Sequence, residues 1–141
     1  MYAWAAIAGS VLLGTSLVCV ACGNDGDGEG DRCDTDDGRI LLWWTLQDQV
    51  DWQEEAGYVA WNVYRGDFEV LRSLGLYTQI PGSNALAARW CDRTDAWLSS
   101  SDVPAPSGLA FFLVSGSAGG VEGDLGEDSS GTTRPNINPC P

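Results

Sequence analysis

Residues 109–115 read LAFFLVS, and the fold turns on how they are placed. The run carries no charge and is rich in aromatic and branched side chains. On one side stands VPAPSG (103–108) and on the other GSAGG (116–120). A short run that is apolar on both faces, bounded by Pro and Gly, reads as a strand in the middle of a sheet with both faces covered. Two prolines cannot pair within a central strand, so 103–108 is a turn. The glycines of 116–120 form a loop or a hairpin turn, and 121–125 supplies a final edge strand.

Working outward, residues 39–46 (RILLWWTL) predict another strand. Alternation puts Ile40, Leu42 and Trp44 on one face and Leu41, Trp43 and Thr45 on the other. A polar connection, QDQVDWQEEAG, follows. Residues 58–65 (YVAWNVYR) predict the next strand, with Val59, Trp61 and Val63 on one face and Tyr58, Ala60, Asn62 and Tyr64 on the other. Gly66 ends it. Residues 68–76 suit a strand or one short helix. The stretch 80–84 (IPGSN) is turn chemistry, 85–90 a helical turn or loop, and 96–98 a short strand. No long helical period occurs after residue 22. The expectation is an all-β chain folded as a small antiparallel β-sandwich.

The charged residues narrow the chemistry. The chain has 7 basic and 20 acidic side chains, a formal charge of −13 and no histidine. Every basic residue is arginine. Without His or Lys there is no Ser-His-Asp or Cys-His machinery, no Schiff base and no phosphate-loop lysine. The negative charge opposes binding to nucleic acid or to an anionic lipid surface. Residues 24–38 (NDGDGEGDRCDTDDG) combine seven acids with Gly and one Arg. Self-repulsion and Gly entropy make them an acidic tether. Asp25, Asp27, Glu29 and Gly30 imitate the opening of a calcium loop. The closing position would be Asp36 rather than a bidentate Glu, and no amphipathic helix flanks it. No metal and no cofactor is expected.

Residues 2–21 lack any charged side chain and end in Val20-Ala21-Cys22-Gly23. A small residue followed by Cys after such a segment resembles a bacterial lipoprotein signal. The resemblance implies a signal peptide over 1–21, acylation at Cys22, and a mature chain lipid-anchored in the cell envelope, outside the cytoplasm. Cys19 is the alternative anchor. A plain secretory signal or an uncleaved membrane helix would also put the rest of the chain outside the cytoplasm.

A second resemblance covers residues 39–125. The order LLxWT, WNVYRG, a Pro/Gly turn, FFLVSG and a Gly-rich hairpin is similar to a fibronectin type III module. That family packs an apolar–x–Trp strand on an aromatic of the next strand, roles matched by Leu42-x-Trp44 and Trp61-x-Val63. The stretch 106–116 resembles its Pro-Gly turn and penultimate strand. On this alignment the family's first strand is missing, because the tether stands before Arg39. The domain order is then signal peptide 1–21, tether 22–38, β-sandwich 39–125 and a polar, Pro-containing tail 126–141.

If Cys22 carries lipid, Cys33, Cys91 and Cys140 remain. An oxidising location favours a disulfide. Cys33 lies in the tether and would lose chain entropy on pairing, so Cys91–Cys140 is the expected bond. Cys33 is then free or paired between molecules.

Few residues point to chemistry. Arg65-Gly66-Asp67 reads as the end of a strand rather than a presented integrin tripeptide. Gly116, Gly119, Gly120 and Gly123 read as a hairpin rather than a phosphate loop. Ser115 and Ser117 have no evident base. The pairs Glu54/Glu55 and Asp92/Asp95 read as surface solvation. Trp44 and Trp61 belong in the core. Trp43, Trp52, Trp90 and Trp97 either form a second small cluster or leave an exposed aromatic patch. The expectation is a non-catalytic binding or structural module of the envelope. Its partners are the membrane, through the lipid, and a protein or glycan, with no nucleic acid. One alternative is a carbohydrate-binding module using exposed tryptophans, and another is a two-carboxylate glycan-active enzyme.

Overall fold

A computed structural model of the 141-residue chain describes residues 6–8, 40–46, 48–100 and 108–141. Its elements are β1 (Ala6–Ala8), β2 (Leu42–Leu46), β3 (Gln49–Trp52), β4 (Ala60–Asp67), α1 (Phe68–Leu74), β5 (Ala88–Arg93), β6 (Trp97–Ser99), β7 (Ala110–Ala118) and β8 (Val121–Glu122). They form two antiparallel sheets. The smaller has the order β2-β3-β6. In the larger, β7 pairs β4, β4 pairs β5, and the other edge of β7 carries β1 and β8.

The small sheet packs on the large one. Val50, Trp52 and Leu98 from β3 and β6 meet Trp61, Val63, Phe112 and Val114 from β4 and β7. Trp44 sits against the same cluster and meets Phe112 edge-on, with centroids 5.4 Å apart. Trp61 takes the core role expected of it, Trp44 packs half-buried against that core, and the chain is a β-sandwich.

The opposite face of the large sheet is covered as well. Tyr64, Phe111, Leu113 and Leu125 form a second cluster, closed by Phe68 and Leu71 of α1 and by Tyr77 and Cys140. This is why β7 is apolar on both faces, and its residues from Ala110 to Ser117 are all buried.

Several local expectations change. The segment read as a polar connection contains β3, which alternates Gln49 and Asp51 outward with Val50 and Trp52 inward. The segment 85–90, read as a helical turn or loop, enters β5. Strand β7 runs on to Ala118 and turns on Gly119 and Gly120, whose φ angles are 59° and 76°. Two positive φ values in a two-residue connection match the twist of the flanking strands. The final edge strand stops at Glu122. Helix α1 resolves the choice left open for 68–76. Asp67 caps its start by accepting from the Glu69 N–H, and left-handed Gly75 ends it.

Residues 126–141 dock across the second cluster. Cys91 and Cys140 form a disulfide, with Cα atoms 5.7 Å apart. Asn138 donates through its backbone to Thr78 Oγ1 and through its side chain to the Thr78 carbonyl. Arg89 donates to the carbonyls of Asn138 and Pro139.

Candidate functional site

Among the described residues, the outer face of the small sheet shows exposed and half-buried side chains. Strand alternation decides which side chains it shows. On β2, β3 and β6 the inward set is Leu42, Trp44, Val50, Trp52 and Leu98. The outward set therefore includes Trp43, Asp51 and Trp97. Register then makes a row of these three: Trp43 pairs with Asp51, and Asp51 pairs with Trp97. Two steps of inter-strand spacing separate the indoles at their backbones by roughly 10 Å. Trp97 is 43% exposed, and Trp43 and Asp51 are half-buried.

A groove of about 280 Å³ runs along this row. Beyond Trp43, Asp51 and Trp97 it is lined by Glu54, Thr94 and Asp95, with buried Trp52 at its inner side. Asp51 is held in place: it accepts from the Thr45 hydroxyl and from Gln49 Nε2 at 3.1 Å. Asp95 meets Arg93 at 3.4 Å. The polar side chains lining the groove are thus three carboxylates and a hydroxyl, between two indoles. Such a surface can stack a flat apolar face on Trp and accept hydrogen bonds from a ligand's donors.

The remaining candidates divide. Trp52 is 1% exposed and belongs to the core. Trp90 is half-buried under the Arg65 guanidinium, 5.5 Å from the ring centroid. Glu54 and Asp95 line the groove, whereas the other member of each pair points elsewhere. Glu55 is 4% exposed and accepts from Gln53 Nε2 at 2.8 Å, which corrects its reading as surface solvation. Asp92 lies at φ 52° with its N–H on Asn62 Oδ1.

Arg65, Gly66 and Asp67 lie within β4, and Arg65 is 3% exposed. Its Nε donates to the Leu86 carbonyl and its Nη1 to Ser100, so the guanidinium is structural. A side chain at Gly66 would run into the Phe111 ring, which accounts for the glycine. Cys22, Cys19, Cys33 and the calcium-like residues 25–36 lie outside the described residues. Among the described residues no group of metal-ligating side chains occurs, and no helix is long and apolar enough to cross a membrane.

Sequence reading missed a second polar cluster. Tyr64 Oη donates to Glu122 Oε1 at 2.6 Å, and the Ser115 hydroxyl donates to the same oxygen. The Cys140 N–H donates to Tyr64 Oη at 2.9 Å. Burial and the neighbouring Glu122 push the Tyr64 hydroxyl up to about 12. Ser115 and Tyr64 are fully buried, so this cluster fastens the C-terminal segment rather than facing a ligand. The signal available in sequence was weak: an isolated Glu in a Gly-rich hairpin.

Comparison with known protein families, with curated proteins and with solved structures finds no match for this chain.

Proposed function

We propose that this chain is an extracytoplasmic, lipid-anchored binding module of the bacterial cell envelope, and that its ligand is a glycan held on the outer face of the β2-β3-β6 sheet. One observation carries the choice of a glycan over a purely structural role: an exposed Trp97 and a half-buried Trp43 flank Asp51 on one sheet face. Sugars present both C–H faces for stacking and hydroxyls for hydrogen bonding, and this row offers partners for both. No catalytic role is proposed. Asp51 is engaged by Thr45 and Gln49, as expected of a positioned acceptor.

The strand arrangement supports the fibronectin type III-like reading. Leaving aside β1, which falls in the segment 1–21 read as the signal peptide and would be absent from the mature chain, the first, second and fifth strands form one sheet, and the third, fourth, sixth and seventh form the other. An immunoglobulin constant-type sandwich differs by keeping its fourth strand with the first sheet. In this arrangement β2 fills the place of the first strand, and Val50-x-Trp52 on β3 replaces Leu42-x-Trp44 as the apolar–x–Trp strand beside the WNVYRG segment.

The anchor is tested by feeding cells a labelled fatty acid. Label should enter the protein and vanish in Cys22→Ala; label that persists in the variant would rule out this anchor. For the ligand, the full-length chain in detergent is titrated with oligosaccharides prepared from bacterial envelopes and from chitin. Trp97→Ala should abolish binding while leaving the melting temperature unchanged, since Trp97 lies outside the core. Equal binding by wild type and variant would remove the groove from consideration.

A further inference from the structure

We infer that the groove selects a glycan bearing free amino groups, an oligosaccharide of the glucosamine type, over its neutral or acidic counterparts. This rests on the glycan-binding reading above and adds the ligand's charge. The polar side chains of Glu54, Asp51, Asp95 and Thr94 offer acceptors, three of them carboxylates. Uronic acids, sulfated sugars and phosphate-linked polymers bring more acceptors and negative charge, and the groove repels them. An ammonium group brings three donors and a positive charge to the same place.

Aromatic faces strengthen the argument, because an ammonium held near an indole gains from the ring's negative face as well as from the carboxylates. Arg93 offsets part of the charge of Asp95 at 3.4 Å, while Glu54 is exposed at the groove's rim. The formal charge of −13 over the whole chain raises the local concentration of cationic oligomers and lowers that of anionic ones. The row's span suits two linked pyranose rings, so a chain of amino sugars can stack on both indoles while an amino group lies over Asp51.

The test compares four probes on the full-length chain in detergent, followed by intrinsic tryptophan fluorescence: a glucosamine tetramer, an N-acetylglucosamine tetramer, a galacturonic acid tetramer and choline. The glucosamine tetramer should bind about tenfold more tightly than the acetylated one in low salt, as a few exposed charge pairs allow. The preference should collapse in 0.5 M salt (about 4 Å screening length). It should also collapse in the double variant Glu54→Gln, Asp95→Asn, which keeps side-chain volume and both indoles. Trp97→Ala should lose both tetramers.

Equal binding of the two glucosamine-type tetramers would overturn the amino-group preference and leave the glycan reading standing. Tighter binding of the galacturonic acid tetramer would do the same. Binding of choline as tight as that of the glucosamine tetramer would overturn the inference in favour of a simple cation site. No binding of any tetramer would overturn both the inference and the reading beneath it.

Discussion

Tyr64 shows how much one side chain can hold. Its ring belongs to the second cluster, and its hydroxyl donates to Glu122 and accepts from the Cys140 N–H. Replacing it by Phe keeps the ring and removes both of these bonds and a third, accepted from Asn136 Nδ2 at 3.4 Å. The expected cost is about 1–3 kcal/mol, because the Cys140 N–H loses its partner while Glu122 Oε1 keeps only the Ser115 hydroxyl. The same group makes stability depend on alkali. Its folded pKa, about 12, lies above the ordinary value of 10.0. The unfolded chain therefore releases its proton first as pH rises. The stability this group confers is complete below pH 10 and is lost between 10 and about 12. Tyr58 is shifted in the same direction by burial and by Asp124 and Glu55. Urea melts at pH 8, 10 and 11 should show wild type losing stability above pH 10 and Tyr64→Phe losing less. Parallel losses in the two proteins would contradict this role for Tyr64.

Among the elements, legibility followed burial on both sides. Strand β7 announced itself because both of its faces are covered, so every residue is apolar or small. Strand β4 was also clear, since Trp61 and Val63 serve one core and Tyr64 the other. Strand β3 was hidden. Gln49, Asp51 and Gln53 gave the segment a polar average, although Val50 and Trp52 between them keep a strict period of two. The connection from β2 lacks the Asn-Gly or Gly signal of a tight hairpin, and the pairing shifts register between Trp44 and Leu46. Strand β5 was lost to its Ala and Arg content, which favours helix when no partner is in view. The site suffered in turn: Trp43 and Trp97 could be named as candidates, but only with β3 between them does Asp51 complete the row.

The C-terminal segment is the element most dependent on a covalent bond. Composition marked it as a polar tail, and the expected Cys91–Cys140 disulfide is present. The bond closes a separation of 49 residues, for which chain entropy gives a stabilisation of about 4 kcal/mol. Its loss frees the strap over Tyr64, Phe111, Leu113 and Leu125. Cys140→Ala should lower stability by about 2–5 kcal/mol and raise binding of a hydrophobic dye. It should leave glycan binding intact below the new melting temperature, because the groove lies on the other sheet. Loss of binding in a folded Cys140→Ala protein would contradict that separation.

At the scale of the whole molecule, two covered faces and one open face define the design. The large sheet is buried by the small sheet on one side and by α1 and the C-terminal strap on the other. Among the described residues the small sheet has the open face, and that face carries Trp43 and Trp97 among polar side chains. The acidic composition was legible at once, and its charge argues against nucleic acid as a partner. The location of the open face was not, because it depends on which sheet the strap covers.

The most direct measurement is a two-dimensional nitrogen–proton spectrum of the full-length chain in detergent, with the indole signals assigned by single Trp→Phe variants, during titration with the glucosamine tetramer. The indole signals of Trp43 and Trp97 should move together, with those of the inward Trp44, Trp52 and Trp61 unchanged. Movement of the Trp44 and Trp61 signals with Trp43 and Trp97 still would contradict the account, as would a spectrum in which no indole responds.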